Sequence, residues 1–333
     1  MEKTCKRKLS ISDTVIETVR LVTNTHINPL GILHGGTVLK WMVTTGSMSA
    51  MRVSRGPALL VHMDNVFFIN PVRLGKNAVI TAWIDYVGRS SLESTILVEE
   101  EDPVTGKRRI TTAAHTTYVA VDENISPKPI DSCIYPKGDI EEELYSRALK
   151  RRKERVRTKE LKRVIPLDER YVLDNHILVN PEDTIAYNAM HAGRLLHVLD
   201  ETAGILAMKY VKGIAVTAAV DATDFIAPIL VGEVLDIKAA LTYVGRTTVE
   251  IGLEVRTYNP FTNEYRHTVT SYFTLVHLSP AGKPSPVPKL EIVDDRQRLI
   301  IEEARKRREK RLDLLEFFKR EASRIKPPRR YYG

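Results

Sequence analysis

The chain has 333 residues, 43% of them hydrophobic, and carries 50 Lys and Arg against 42 Asp and Glu for a net charge of +8. That length accommodates two domains of ordinary size, and the apolar fraction can supply their cores. No apolar run approaches the length of a transmembrane helix and the N-terminus shows no signal-peptide core, so neither a membrane span nor a secretory leader is expected.

In chain order, residues 9–24 alternate in the manner of a first strand through Ile11, Val15, Val19 and Leu21. A loop from Asn28 to Gly36 follows, ending in His34-Gly35-Gly36, and then an apolar helical run from about Thr37 to Val53. Four segments rich in Val, Ile, Thr and aromatics come next: Leu59–Ile69, Ala78–Val87, Leu92–Glu100 and Arg108–Val121. Gly, Pro and Asp turns separate them, and Asp102 to Gly106 reads as a hairpin loop. One helix followed by a run of strands predicts an α+β layout, an antiparallel sheet packed on the helix.

The pattern then repeats at an offset of 157. His191-Ala192-Gly193 answers His34-Gly35-Gly36, and Phe225-Ile226-Ala227-Pro228 answers Phe68-Ile69-Asn70-Pro71. Tyr243-Val-Gly-Arg-Thr-Thr248 answers Tyr86-Val-Gly-Arg-Ser-Ser91, without a gap between these landmarks. Two tandem copies of one fold are therefore expected, the period being far too long for a solenoid. The boundaries read as a first fold over 8–135, a basic helical linker over 136–165, a second fold over 166–292, and a basic helix and tail over 293–333. The basic tracts Glu141–Arg163 and Arg296–Arg324 read as solvated helix faces with interleaved Glu and Arg. Nucleic acid is not an expected partner, because no recognised binding motif accompanies the charge. Cys5 and Cys133 lie outside the patterned segments, so a reducing, cytoplasmic setting without a disulfide framework is the simplest reading.

Chemistry concentrates at the two helix starts. A helix beginning after a Gly-Gly pair presents free N–H groups and the positive end of its dipole, which suits an anion or a carbonyl oxygen that becomes one. The glycines allow unusual backbone angles and close approach. Asn28 could add an amide donor or orient a water; a plain turn at Asn28-Pro29 is the structural alternative. Asp200 lies beside the apolar stripe of the second helix, about 10 Å along the axis from Gly193 at a rise of ~1.5 Å per residue. It cannot reach its own amide end but could reach that of a neighbouring antiparallel helix, at Gly35-Gly36. The copies differ in a complementary way: Val43 stands opposite Asp200, and Ile185 opposite Asn28. One composite site would keep both polar groups and its mate neither. His34 and His191 suit either a substrate contact or a structural hydrogen bond. No metal-ligand spacing, nucleophile elbow or nucleotide fingerprint is present, so neither a metal nor a cofactor is expected.

Asn28-x5-His34-Gly-Gly, Leu195-Leu-His-Val-Leu-Asp200-Glu-Thr-Ala203, the Phe-Ile-x-Pro segments, both Val-Gly-Arg turns and Lys283-Pro-x-Pro-Val-Pro288 together resemble the tandem hotdog-fold acyl-CoA thioesterases of the cytosolic, brain type. The resemblance implies two hotdog folds, each a long central helix wrapped by an antiparallel sheet, joined back to back, with a trimer of such units and sites formed between hotdogs. It implies hydrolysis of fatty acyl-CoA, with the carbonyl oxygen on the amides of Gly35 and Gly36. Asp200 would be general base or nucleophile, and Asn28 would hold the water. It makes Arg89, Ser90, Ser91, Arg246, Thr247 and Thr248 candidates, with His34, for contacts to substrate and the coenzyme A phosphates. Copy one has Val43-Thr44 where the fuller motif has Asp-Glu, which makes the second site silent. The rival readings are a non-catalytic acyl-CoA-binding regulator, which would have no need of a base, and a hydratase, whose His-plus-carboxylate signature is not evident.

Overall fold

In the computed structural model, which describes residues 5–155, 164–322, 325 and 327–328, both copies contribute to one 12-stranded sheet. The first copy runs β1 (Arg7–Leu9), β2 (Ile16–Leu21), α1 (Gly35–Ser54), β3 (Ala58–Met63), β4 (Val66–Phe67), β5 (Asn77–Val87), β6 (Ser91–Glu101), β7 (Arg108–Ala120), β8 (Ser132–Ile134) and α2 (Gly138–Arg155). The second runs β9 (Val172–Leu178), β10 (Thr184–Ala186), β11 (Ala189–Met190), α3 (Ala192–Val211), β12 (Ile214–Val220), β13 (Thr223–Phe225), β14 (Val234–Val244), β15 (Thr248–Asn259), β16 (Glu264–Leu278) and α4 (Asp295–Ala322).

The strand expected over 9–24 is instead β1 and β2 with a short 3₁₀ turn at Ser12–Thr14 between them. Glu141 of α2 is the cause: its carboxylate accepts from the Ile11 and Ser12 N–H groups at 3.0 and 2.9 Å, so neither amide is left for a ladder. The strand expected over Leu59–Ile69 stops at Met63 and resumes at Val66, where the two copies meet. There Met63 pairs with Thr223 of β13 and Val66 with Val220 of β12, an antiparallel seam that the 157 offset maps onto itself. The sheet runs β2-β5-β6-β7-β3 into β13-β16-β15-β14-β9, with β12 and β4 joined beside β16.

Helices α1 and α3 line the inner face of this sheet and share one apolar core. Leu39, Met42, Leu196 and Leu199 are all but fully buried in it, each such side chain contributing about 1.5–3 kcal/mol relative to exposure. Gly46 lets α1 lie directly on Tyr118 and Ile96 of the sheet, where a Cβ would overlap the Tyr118 hydroxyl. Both helices end in a left-handed residue, Arg55 and Lys212, at equivalent positions and each followed by glycine.

Helices α2 and α4 are not merely solvated basic faces. Arg155 binds Glu93 at 2.7 Å and approaches Asp64 at 3.5 Å; Arg311 binds Asp221 and Glu250, both at 2.5 Å. The acids are equivalents at an offset of 157, while the arginines differ by 156, so the clamp is repeated with a one-residue slip in the helix. Arg307 adds a second bond to Glu250 at 2.7 Å and lies 4.2 Å above the Tyr272 ring. The inward arginines thus neutralise buried carboxylates while the outward ones face solvent. The end of the first basic tract and most of the C-terminal tail lie outside the described residues.

Cys5 and Cys133, expected to carry no disulfide, are bonded to each other, with Cα atoms 5.7 Å apart. Parallel pairing of β1 with β8 brings them together across 128 residues, a contact that spacing in the sequence does not reveal.

Candidate active site

The two central helices are antiparallel. Gly36 at the start of α1 faces Asp200 and His197 midway along α3, and Gly193 at the start of α3 faces the Lys40 carbonyl of α1. The N-caps, His34 and His191, provide no side-chain bond to their own helix starts. One open amide of α1, that of Gly36, is met from the other copy. Gly36 N–H donates to Asp200 Oδ2 at 2.6 Å, and His34 Nδ1 lies 3.3 Å from the same oxygen without the alignment of a hydrogen bond. Among the described residues the Gly35 N–H has no hydrogen-bond partner.

Neither glycine has a left-handed backbone; what both positions require is close approach. A Cβ on Gly35 would sit 3.1 Å from Thr217 Cβ and 3.2 Å from both Asp200 oxygens, and one on Gly36 would sit 2.9 Å from His197 Nδ1. The unusual backbone angles expected of this pair are absent, and the left-handed glycine of the loop is Gly31.

Asp200 is 2% exposed. Burial pushes its carboxyl above the ordinary carboxylate range, against the opposing pull of His34, the Thr217 hydroxyl, the Gly36 amide and His197. Burial holds the His197 imidazole below its usual value. Thr217 on β12 donates to Asp200 Oδ1 at 2.5 Å. Each carboxylate oxygen thus has one protein donor and retains a lone pair for a water.

Sequence reading missed Thr217, although the signal was present. Its equivalent at the 157 offset is Leu60, the same polar-for-apolar exchange as Asp200 with Val43 and Asn28 with Ile185. At the mate position Val43, Leu60, Ile185 and Ala192 converge on an apolar cavity of about 270 Å³.

Asn28 opens a turn: its Oδ1 accepts from Leu30 N–H at 3.0 Å, and its carbonyl accepts from Gly31 N–H at 2.9 Å. The turn occupies the side-chain oxygen and leaves Nδ2 as a donor, so the structural and chemical readings of this residue are compatible. The Arg-Ser/Thr turns lie on the sheet rather than at the helix starts. Thr248 pairs with Val276, which pairs with Val216 beside Thr217. That places Thr248 two strands, about 10 Å, from the Asp200 row. Ser91 holds the equivalent place relative to Leu59, beside Leu60, and its hydroxyl accepts from Arg152 at 2.7 Å. Arg89 and Arg246 are exposed, and Ser90 and Thr247 half-buried; the carbonyls of these four accept from Ile130, Val287, Ala120 and His277 respectively.

Residues 30–107 and 187–260 each match the Thioesterase superfamily. The sequence is 30% identical over 303 residues to the cytosolic acyl coenzyme A thioester hydrolase of Mus musculus, covering 84% of this chain and 79% of that one. The chain belongs to this family. The enzyme of the same name from Homo sapiens is 30% identical over 306 residues, covering 84% of this chain and 80% of that protein. An acyl-ACP thioesterase from Bacteroides thetaiotaomicron shares the fold, with a TM-score of 0.52 at 10% identity, covering 80% of this chain and all of that one. The family is thus present here as a tandem α+β hotdog, with a long helix against an antiparallel sheet in each copy. Among the described residues no helix is long and apolar enough to cross a membrane.

Proposed function

We propose that the chain hydrolyses fatty acyl-CoA to free fatty acid and coenzyme A at one composite site, built from the start of α1 and the middle of α3, the mate position being silent. The observation that carries this reading is the buried Asp200 carboxylate, held by Gly36 and Thr217 beside the unpartnered Gly35 amide. The acyl carbonyl oxygen lies against Gly35 N–H, at the positive end of α1, with Asn28 Nδ2 as a further donor for it or for the attacking water. Asp200 takes a proton from that water as its oxygen bonds to the carbonyl carbon. The tetrahedral intermediate then collapses, the C–S bond breaks, and the departing thiolate recovers the proton from Asp200. The Gly36 amide, expected to contact substrate, serves here to orient the base.

Of the two candidate sets for the coenzyme A phosphates, Arg246, Thr247 and Thr248 are favoured, because Thr248 lies on the half of the sheet that carries Thr217. His34, one-third exposed beside Asp200, completes the substrate contacts. No cofactor takes part. We place the enzyme in the cytoplasm, with its cytosolic relatives; there the Cys5–Cys133 bond would be an exception to the usual reduced state. We further propose a trimer: Met48, Ile205 and Met208 are exposed on the two central helices, and the family resemblance gives the number. The test is release of free thiol from a panel of acyl-CoAs of increasing chain length. Turnover of at least one chain length is expected; no release from any of them would make the chain a binder and overturn the proposal.

A further inference from the structure

The mate of the active site is not a collapsed remnant. Val43, Leu60, Ile185 and Ala192 stand where the live site has Asp200, Thr217, Asn28 and Gly35. Every change is from polar or bare to apolar, and together they leave the cavity of about 270 Å³. That space holds roughly nine groups of the volume of a water molecule, ~30 Å³ each. Its walls are mostly apolar and it opens to the surface, so an apolar guest can enter and be buried there.

Two polar side chains, Ser47 and His191, remain among its walls. His191 is 9% exposed, lines the cavity, and has a buried Nε2 without a hydrogen-bond partner. Val43 stands here where the live copy has the carboxylate that His34 approaches. Burial, with Lys40 nearby, pushes His191 down to about 4, so the ring is neutral at pH 7 and can present one N–H to a carbonyl oxygen.

We infer that this cavity is a second, non-hydrolytic site for a fatty-acyl chain with a carbonyl head. The chain lies among the apolar walls with its carbonyl head at His191, whose ring must turn for Nε2 to reach it. The identity of the ligand rests on the acyl-thioester reading above. Without a base at position 43, a thioester seated here is not cleaved, so the site retains substrate or product.

The test uses the wild-type full-length chain and two probes, each titrated by calorimetry. One is the ketone analogue of decanoyl-CoA with a methylene between sulfur and carbonyl, which cannot be hydrolysed; the other is decanoate. Two equivalents per chain are expected for at least one probe. Two equivalents of the analogue assign the site to substrate, and a second equivalent seen only with decanoate assigns it to product. Ala227→Trp, which fills the cavity from a half-buried loop position, should reduce the count to one while leaving kcat for thiol release within twofold. His191→Phe should weaken the second equivalent about tenfold or more. One equivalent of both probes on the wild type, or two retained by Ala227→Trp, would overturn the inference. Thiol release measured in parallel separates this outcome from failure of the catalytic reading, because the stoichiometry does not depend on turnover.

Discussion

The start of α1 and the start of α3 are the same stretch of chain written twice, yet only one meets a carboxylate. At α1, two bare glycines let Asp200 and Thr217 approach within bonding distance, and a buried charge is held by two donors. At α3 the same geometry is lined mostly by apolar side chains, with Ser47 and a His191 ring whose Nε2 is unpaired. Because the helices are antiparallel, each helix start faces the middle of the other, and a change in either copy alters only one site. On the proposed reading, duplication allowed one pocket to keep its chemistry while its twin lost the polar groups at the four equivalent positions. The clamps of α2 and α4 show the opposite behaviour: both copies keep an inward arginine on paired carboxylates. Structure was retained twice and, on the proposed reading, reactivity once.

That contrast can be broken from either side. Among variants that leave the base itself in place, the largest effect is expected at Gly36. In Gly36→Ala the new methyl meets the His197 ring and backbone at 2.9–3.0 Å, displaces Asp200 from its amide, and should lower kcat by about 10²–10³-fold. Ala192→Gly at the start of α3 should leave kcat unchanged; steady-state thiol release checks both. Thr217→Val removes one donor to a charged acceptor, worth about 1.5–3 kcal/mol, and should cost about 10–100-fold in kcat, whereas Leu60→Thr should cost nothing. The smallest effect belongs to reconstruction. Val43→Asp combined with Leu60→Thr, Ile185→Asn and Ala192→Gly should raise kcat per chain by at most about twofold. A gain in the quadruple variant but not in Val43→Asp alone would show that all four positions act together.

Much of this contrast was already legible in the sequence, for a physical reason. An ungapped offset turns two copies into an alignment of the chain with itself, so Asp200 against Val43 and Asn28 against Ile185 stood out without any structure. Helix rise alone then excluded a site within one copy. Thr217 carried the same signature against Leu60 but was passed over, because a strand threonine is ordinary until the helix opposite it is placed. Of the two reasons expected for glycine at Gly35 and Gly36, the unusual backbone angles are absent; the close approach there is by Asp200, His197 and Thr217 of the other copy, which is a tertiary fact. The Cys5–Cys133 bond and the capture of Ile11 and Ser12 by Glu141 join residues more than a hundred positions apart, and no local pattern announces them. The basic helices had a readable clue, Arg151 with Arg155 and Arg307 with Arg311 at helical spacing. Their buried acid partners were hidden among strand residues.

Asp200→Asn tests the account most directly, because the exchange is nearly isosteric and reads two properties at once. The folded-state carboxyl is raised above its ordinary value, so its ionisation costs stability as pH rises through that raised value, and the cost is present at pH 7. The same ionisation is what the reaction requires, so wild-type kcat should fall on the acid side at a pH above the ordinary carboxylate value. The account predicts that Asp200→Asn loses about 10²–10⁴-fold in kcat for thiol release at pH 7 while its Tm equals or exceeds that of the wild type. A folded Asp200→Asn chain that releases thiol at the wild-type rate would contradict it, and the base would have to be sought elsewhere.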